Sequence, residues 1–214
     1  MKNILTAAVF LFTSFAVLPA FAVDALVQEK PEVIELLKLK DTDMYEGDVN
    51  APIQVVEYAS MTCGHCADFH TKYYHEIKEK FIDTGKVRFN FRELPWDPRA
   101  QAVSMVARCA PKGEYFNFVS AFMSTREAWA TSDDFLGSIK QIARLGGMSP
   151  ANVDACMKNE TVSDIVRKSY AEAVGPMEVK GTPTFFVNGR RIEGAMTTNA
   201  LAEIISQIEA VAAK

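Results

Sequence analysis

Past its first 22 residues the sequence has no apolar run long enough to cross a bilayer, which takes about 20 residues. It also lacks any run of lysine and arginine, and no basic stripe is interleaved with aromatics. With 27 acidic against 23 basic side chains and a net charge of −4, it offers no nucleic-acid surface. No internal repeat, low-complexity segment or linker divides it. Cysteine is scarce as well, at four in 214 residues. A chain of this length buries a full core without disulfide staples, so Cys63, Cys66, Cys109 and Cys156 need reasons other than size.

The chain opens with a segment of its own character. Lys2 supplies a short positive region, residues 4–18 are nearly uncharged and apolar, and Ala20–Phe21–Ala22 has the small-x-small pattern of a signal-peptidase site. A retained anchor is the alternative, but the apolar stretch is short for a span. The expectation is a cleaved secretory signal peptide over 1–22, an N-terminal extension over 23–43, and one domain over 44–214. Export to an oxidising compartment permits disulfides, and four cysteines allow three pairings.

Residues 31–39, "PEVIELLKL", carry a weak helical pattern, and "YEGDVNAP" reads as turns broken by Gly47, Asn50 and Pro52. "IQVVEYA", residues 53–59, is apolar on both faces, which suits a central strand. From Cys63 to about Asp83, Phe69, Tyr73, Tyr74, Ile77 and Phe81 recur at threes and fours, predicting a helix that Thr84–Gly85 stop. Val87, Phe89 and Phe91 alternate with Arg88, Asn90 and Arg92, predicting a strand with one polar face. Residues 99–175 read as several helices, around 99–109, 114–124, 132–145, 150–157 and 161–174. "TPTFFVNGRRIEG" then predicts two short strands about an Asn188–Gly189 turn, and an amphipathic helix closes the chain. The order β–α–β, helices, β–β–α makes the fold α/β with a helical insertion at about 99–175.

The pair Cys63–Gly64–His65–Cys66 sits where the strand pattern gives way to the helix pattern. A dithiol catalyst needs one ionised, exposed sulfur and a second sulfur near enough to attack a mixed disulfide. A first cysteine at a helix N-terminus meets free N–H groups and the helix dipole, which stabilise a thiolate, and the second lies about one turn on. His65 can add a hydrogen bond or positive charge near the Cys63 sulfur. Zinc is the competing reading, with Cys63, Cys66, His70 and His75 as ligands. However, His65, His70 and His75 fall five apart, which turns each about 140° from the last on a helix, and there is one knuckle rather than two. A purely structural disulfide here closes too short a loop to constrain the unfolded chain much. His70 and His75 read as surface or packing residues of the helix.

Downstream, Pro183 stands between two threonines just before an apolar strand, where it forfeits a ladder donor. A cis Thr182–Pro183 bond turns the chain sharply and leaves backbone groups free for an extended substrate.

"CGHC" after a strand, with "GTPTFFVNG" ahead of a hairpin and a final helix, resembles the thioredoxin superfamily. The helical insertion between its halves resembles the DsbA-type branch of periplasmic disulfide oxidoreductases, over about residues 44–212. The resemblance implies a thioredoxin-like fold with Cys63 as the attacking cysteine, Cys66 its buried partner, and His65 tuning the thiolate. It further implies that Thr182–Pro183 is the substrate-binding cis-proline loop and that Glu57, six residues before Cys63, is the acid beneath the site. Cys109 and Cys156, both in the insertion and without a CxxC neighbour, are expected to bridge two of its helices as a structural disulfide. The implied activity is protein thiol:disulfide exchange in the periplasm, with no cofactor beyond the Cys63–Cys66 disulfide and no metal. Its implied partners are unfolded or reduced exported proteins and a DsbB-like membrane oxidase, and the expected state is a monomer. Two departures bear on direction: the dipeptide is Gly–His rather than Pro–His, and Thr182 rather than valine precedes the proline. Three functions therefore stand at this point: a thiol oxidase, an isomerase or reductase using the same sulfurs, and a chaperone-like module that holds unfolded chains.

Overall fold

The computed structural model describes residues 29–212, so the expected signal peptide lies outside the described residues. A five-stranded sheet runs through the molecule in the order β1-β3-β2-β4-β5. Its strands are β1 (Met44–Glu46), β2 (Ile53–Ala59), β3 (Val87–Glu93), β4 (Thr184–Val187) and β5 (Arg190–Glu193). β2 pairs parallel with β3 and antiparallel with β4, while β1 pairs antiparallel with β3, and β4 with β5. β2 is thus central, which is why "IQVVEYA" is apolar on both faces.

The period of two assigns its side chains to two cores. Val55 and Ala59 join Phe69, Phe89 and Phe185 on one face, and Val56 and Tyr58 join Val33, Leu37 and Phe186 on the other. The second face is covered by α1 (Pro31–Leu37), so the segment read from sequence as an extension packs on the sheet. The first face is covered by α2, residues 64–82. It runs α-helical over Gly64–Phe69 and His75–Ile77 and widens to π-helix over His70–Tyr74 and Lys78–Ile82. The insertion follows β3 as α3 (Pro98–Arg108), α4 (Tyr115–Ser124), α5 (Arg126–Trp129), α6 (Phe135–Leu145), α7 (Pro150–Met157) and α8 (Glu160–Val174). α9 (Thr198–Ala212) ends the chain against the first face through Leu201, Ile204 and Ile205.

The insertion has its own aromatic centre. Trp129 is fully buried, donates its indole N–H to the Phe122 carbonyl at 2.8 Å, and meets the Phe122 and Phe135 rings. Gly146 lies so close that an added Cβ would stand 2.4 Å from the Phe118 ring. A disulfide joins Cys109, at the end of α3, to Cys156 in α7, with the Cα atoms 6.1 Å apart.

One sequence expectation is corrected. Residues 44–46 form an edge strand rather than part of a turn, with Met44 opposite Phe91. Three residues are too few to display a period, and only pairing with β3 reveals them. β3 carries the expected polar face, and the fold covers most of it: Asn90 is fully buried and Arg92 is 3% exposed, while Arg88 stays partly exposed. The Arg92 guanidinium is held by the Asp43 carboxylate at 2.7 Å and 2.9 Å, the carbonyls of Leu36 and Lys38, and the Tyr58 hydroxyl. Buried charge survives here because every donor direction is met.

Candidate active site

β2 ends at Ala59, and the chain turns through Ser60, Met61 and Thr62 before α2 begins. The Cys63 N–H closes that turn on the Ser60 carbonyl at 3.0 Å, and the Cys63 carbonyl accepts the first helical bond, from Ala67, at 3.1 Å. Cys63 is therefore the N-cap, in extended conformation, with its sulfur above the open N–H groups of the first turn. As a neutral thiol it is too weak an acceptor to cap them, and no side-chain cap bond is present. The thiolate is a different acceptor.

The Cys63 pKa is lowered to about 5. The largest cause is the hydrogen bond from the Cys66 thiol; burial opposes it, and the Thr182 side chain and the N–H groups of Cys66 and His65 add to the lowering. The Thr182–Pro183 bond is cis, and it brings Thr182 against the sulfur: the neutral thiol donates to the Thr182 carbonyl at 3.3 Å. The Thr182 hydroxyl oxygen accepts from the Trp96 indole N–H at 3.0 Å, which leaves the hydroxyl hydrogen for the thiolate. His65 is exposed, and its part in lowering the Cys63 pKa is played by its backbone N–H.

Cys66 is the opposite case. It is fully buried, and its pKa is raised well above the ordinary thiol value by burial, by the hydrogen bond it gives Cys63, and by the charge of Glu57. Glu57, with no exposure, projects from the α2-facing side of β2 rather than from a strand end. Its Oε2 lies 2.9 Å from Nε2 of His70, which is itself buried, so His70 is not a surface residue; His75 is exposed. The structure thus gathers Cys63, Cys66, Thr182, Pro183 and Glu57 at the C-terminal end of β2.

Residues that the sequence did not single out hold this arrangement. The Thr62 hydroxyl donates to the Asp97 carboxylate, whose other oxygen caps α3 by accepting from the Ala100 N–H at 2.9 Å. The Thr62 carbonyl accepts from Arg126 of α5. The insertion therefore grips the loop that presents Cys63. Asp97–Pro98 is a legible N-cap signature, but its second use is visible only in three dimensions.

A thioredoxin family model matches residues 39–207. The chain belongs to the thioredoxin family. A protein of Rickettsia bellii (strain RML369-C), provisionally named a protein-disulfide oxidoreductase, is 30% identical over 194 residues, covering 88% of this chain and 74% of that protein. The crystal structure of Wolbachia pipientis alpha-DsbA1 superposes with a TM-score of 0.76 at 30% identity, over 81% of this chain and 94% of that one. That of Chlamydia trachomatis DsbA, at 18% identity and a TM-score of 0.69 over 81% of this chain and 95% of that one, shares the fold. This thioredoxin-family member is a thiol:disulfide oxidoreductase of DsbA type.

Proposed function

We propose that the chain is an exported oxidase that introduces disulfides into unfolded or reduced periplasmic proteins through Cys63–Cys66. The split in thiol acidity carries this reading: Cys63 is held near 5 while Cys66 is pushed far up. A client thiolate attacks the Cys63 sulfur of the Cys63–Cys66 disulfide, the S–S bond breaks, and Cys66 leaves and takes a proton. The client's second thiolate then attacks its own sulfur in the mixed disulfide and expels Cys63 as a stabilised thiolate. Two electrons pass from client to enzyme. A good leaving thiolate favours this direction over the reverse. In this reading the cis Thr182–Pro183 loop binds the client's extended chain, Glu57 handles the Cys66 proton, and Cys109–Cys156 is structural. Reoxidation falls to a DsbB-like membrane oxidase, and the unit is a monomer.

Alanine at Cys66 is expected to accumulate client adducts on Cys63, whereas alanine at Cys63 accumulates none. Alkylation of the native protein from its own compartment is expected to find Cys63–Cys66 oxidised. Adducts on both variants would overturn the site, and a reduced pair in the compartment would move the assignment to an isomerase or reductase.

A further inference from the structure

The exchange reaction leaves the buried His70 unused. Within α2, His70 opens the π-helical stretch, and its side chain is buried between the β2 and β3 strands and its own helix. It touches the Phe69 ring at 5.2 Å, Tyr74 at 4.9 Å and Phe91 at 5.6 Å between centroids, an apolar setting. Among the described residues its one polar contact is Glu57, at 2.9 Å. Beyond that bond both residues have spare hydrogen-bonding capacity: Oε1 of Glu57 and Nδ1 of His70 are buried and have no partner among the described residues. A buried carboxylate or imidazolium with an unmet polar atom carries a desolvation cost, so neither residue is explained as a stabilising contact alone. Together they can hold one proton with no net charge, as carboxylate and imidazolium or as carboxylic acid and imidazole.

We propose that His70 is the positioning partner through which Glu57 takes and returns the Cys66 proton. This rests on the reading of Cys63–Cys66 as the exchanging pair. When Cys66 attacks a mixed disulfide on Cys63, its S–H bond breaks and the proton passes, by way of one intervening water, to the Glu57 carboxylate. The new Cys63–Cys66 bond forms as the client leaves as a thiolate, which takes a proton from water. The His70 imidazole, hydrogen-bonded to Oε2, keeps that carboxylate oriented and balances the charge change in a buried site. In the reverse direction the same proton returns to the departing Cys66 sulfur.

The surrounding groups leave this task to the pair. Tyr74, on α2, turns its hydroxyl to Glu46 of β1, which also faces Lys78. Tyr115, on α4, gives its hydroxyl to Glu93 of β3 at 2.7 Å, and Arg108 of α3 closes that group at 2.7 Å. Both tyrosines have raised pKa values, by burial first and their glutamates next, and so stay neutral through the working range. Cys66 is the remaining acid coupled to Glu57.

The test mixes the reduced protein with excess glutathione disulfide, quenches with acid, and follows by mass the Cys63 adduct and its collapse by Cys66. His70→Gln keeps a hydrogen bond to Glu57 but cannot become a cation; His70→Phe keeps only the packing. Both are expected to slow collapse at pH 7 by about tenfold or more, less than the roughly 10²–10⁴-fold of a proton-transfer group itself, because His70 acts through Glu57. The logarithm of the collapse rate should then climb with unit slope between about pH 6 and 9, where the native protein is flatter. Adduct formation, which reads Cys63, should keep its native rate. Native collapse rates and slopes in both variants would overturn the proposal, as would an equal slowing of formation and collapse. Collapse that persists in Cys66→Ala would instead overturn the site on which the proposal rests.

Discussion

The two cysteine pairs of this chain are placed in opposite chemical settings. Cys63 and Cys66 sit on the first turn of one helix, three residues apart, as free thiols with strongly divided acidities. Cys109 and Cys156 come from two helices of the insertion, 47 residues apart, and are bridged. The first pair closes a loop too short to restrict the unfolded chain, so a bond between its sulfurs adds little conformational stability. The second closes a long loop and offers no exposed, stabilised thiolate. In the proposed function sulfur serves exchange in one place and constraint in the other, and the difference comes from loop length and from which N–H groups face the sulfur.

The sharpest way to break that contrast is to remove the second pair. Cys109→Ala with Cys156→Ala is expected to lower stability by about 2–4 kcal/mol, a fall of roughly 10 °C in melting temperature, while the exchange rate stays within about twofold. Calorimetry and a client-oxidation assay on the same sample decide it; a stable but inactive variant would erase the division.

Reducing the first pair should act in the other direction. The folded Cys63 pKa of about 5 lies below the unfolded value of about 8.5. A depressed acid contributes stability that is full above the unfolded pKa and is lost as pH falls through the folded one. At pH 7 the reduced protein therefore keeps most of it, about 2 kcal/mol once solvent screening of this half-buried sulfur is allowed for. Reduction is expected to raise the melting temperature at pH 7 and to lose that advantage between about pH 7 and 5. A reduced form that melts lower at pH 7 would remove the argument for an oxidising disulfide.

The smallest effect sharpens the origin of the thiolate. Thr182→Val deletes the hydroxyl that faces Cys63 while keeping the shape of the cis-proline loop. The Cys63 pKa, followed by thiolate absorbance, should rise by about one unit or less, because the Cys66 thiol and the backbone N–H groups remain. No shift would assign Thr182 to binding alone.

Much of this architecture is legible in one dimension. The apolar run at Ile53–Ala59 and the spacing of Phe69, Ile77 and Phe81 are local patterns with a period, as is the Asn188–Gly189 turn, whose two residues take positive φ of 44° and 80°. The edge strand at Met44–Glu46 was not, because its three residues are defined by what they pair with. Nor was the burial of Arg92: alternation shows which residues share a face, not whether the face is covered. The motif around Cys63 and Cys66 and the threonine before Pro183 stand out for their chemistry, yet nothing in either segment says that they meet.

By itself, then, the sequence determined the order of elements, the helix start that carries Cys63, and the family likeness, all of which follow from neighbours along the chain. The tertiary structure decided the rest. It brought Thr182 to 3.3 Å from a sulfur 119 residues away, tied Thr62 to Asp97 and Arg126 of the insertion, and enclosed Glu57 with His70. A thiol's acidity, or a carboxylate's use, depends on which dipoles and apolar groups replace water around it, and those come from every element of the fold at once.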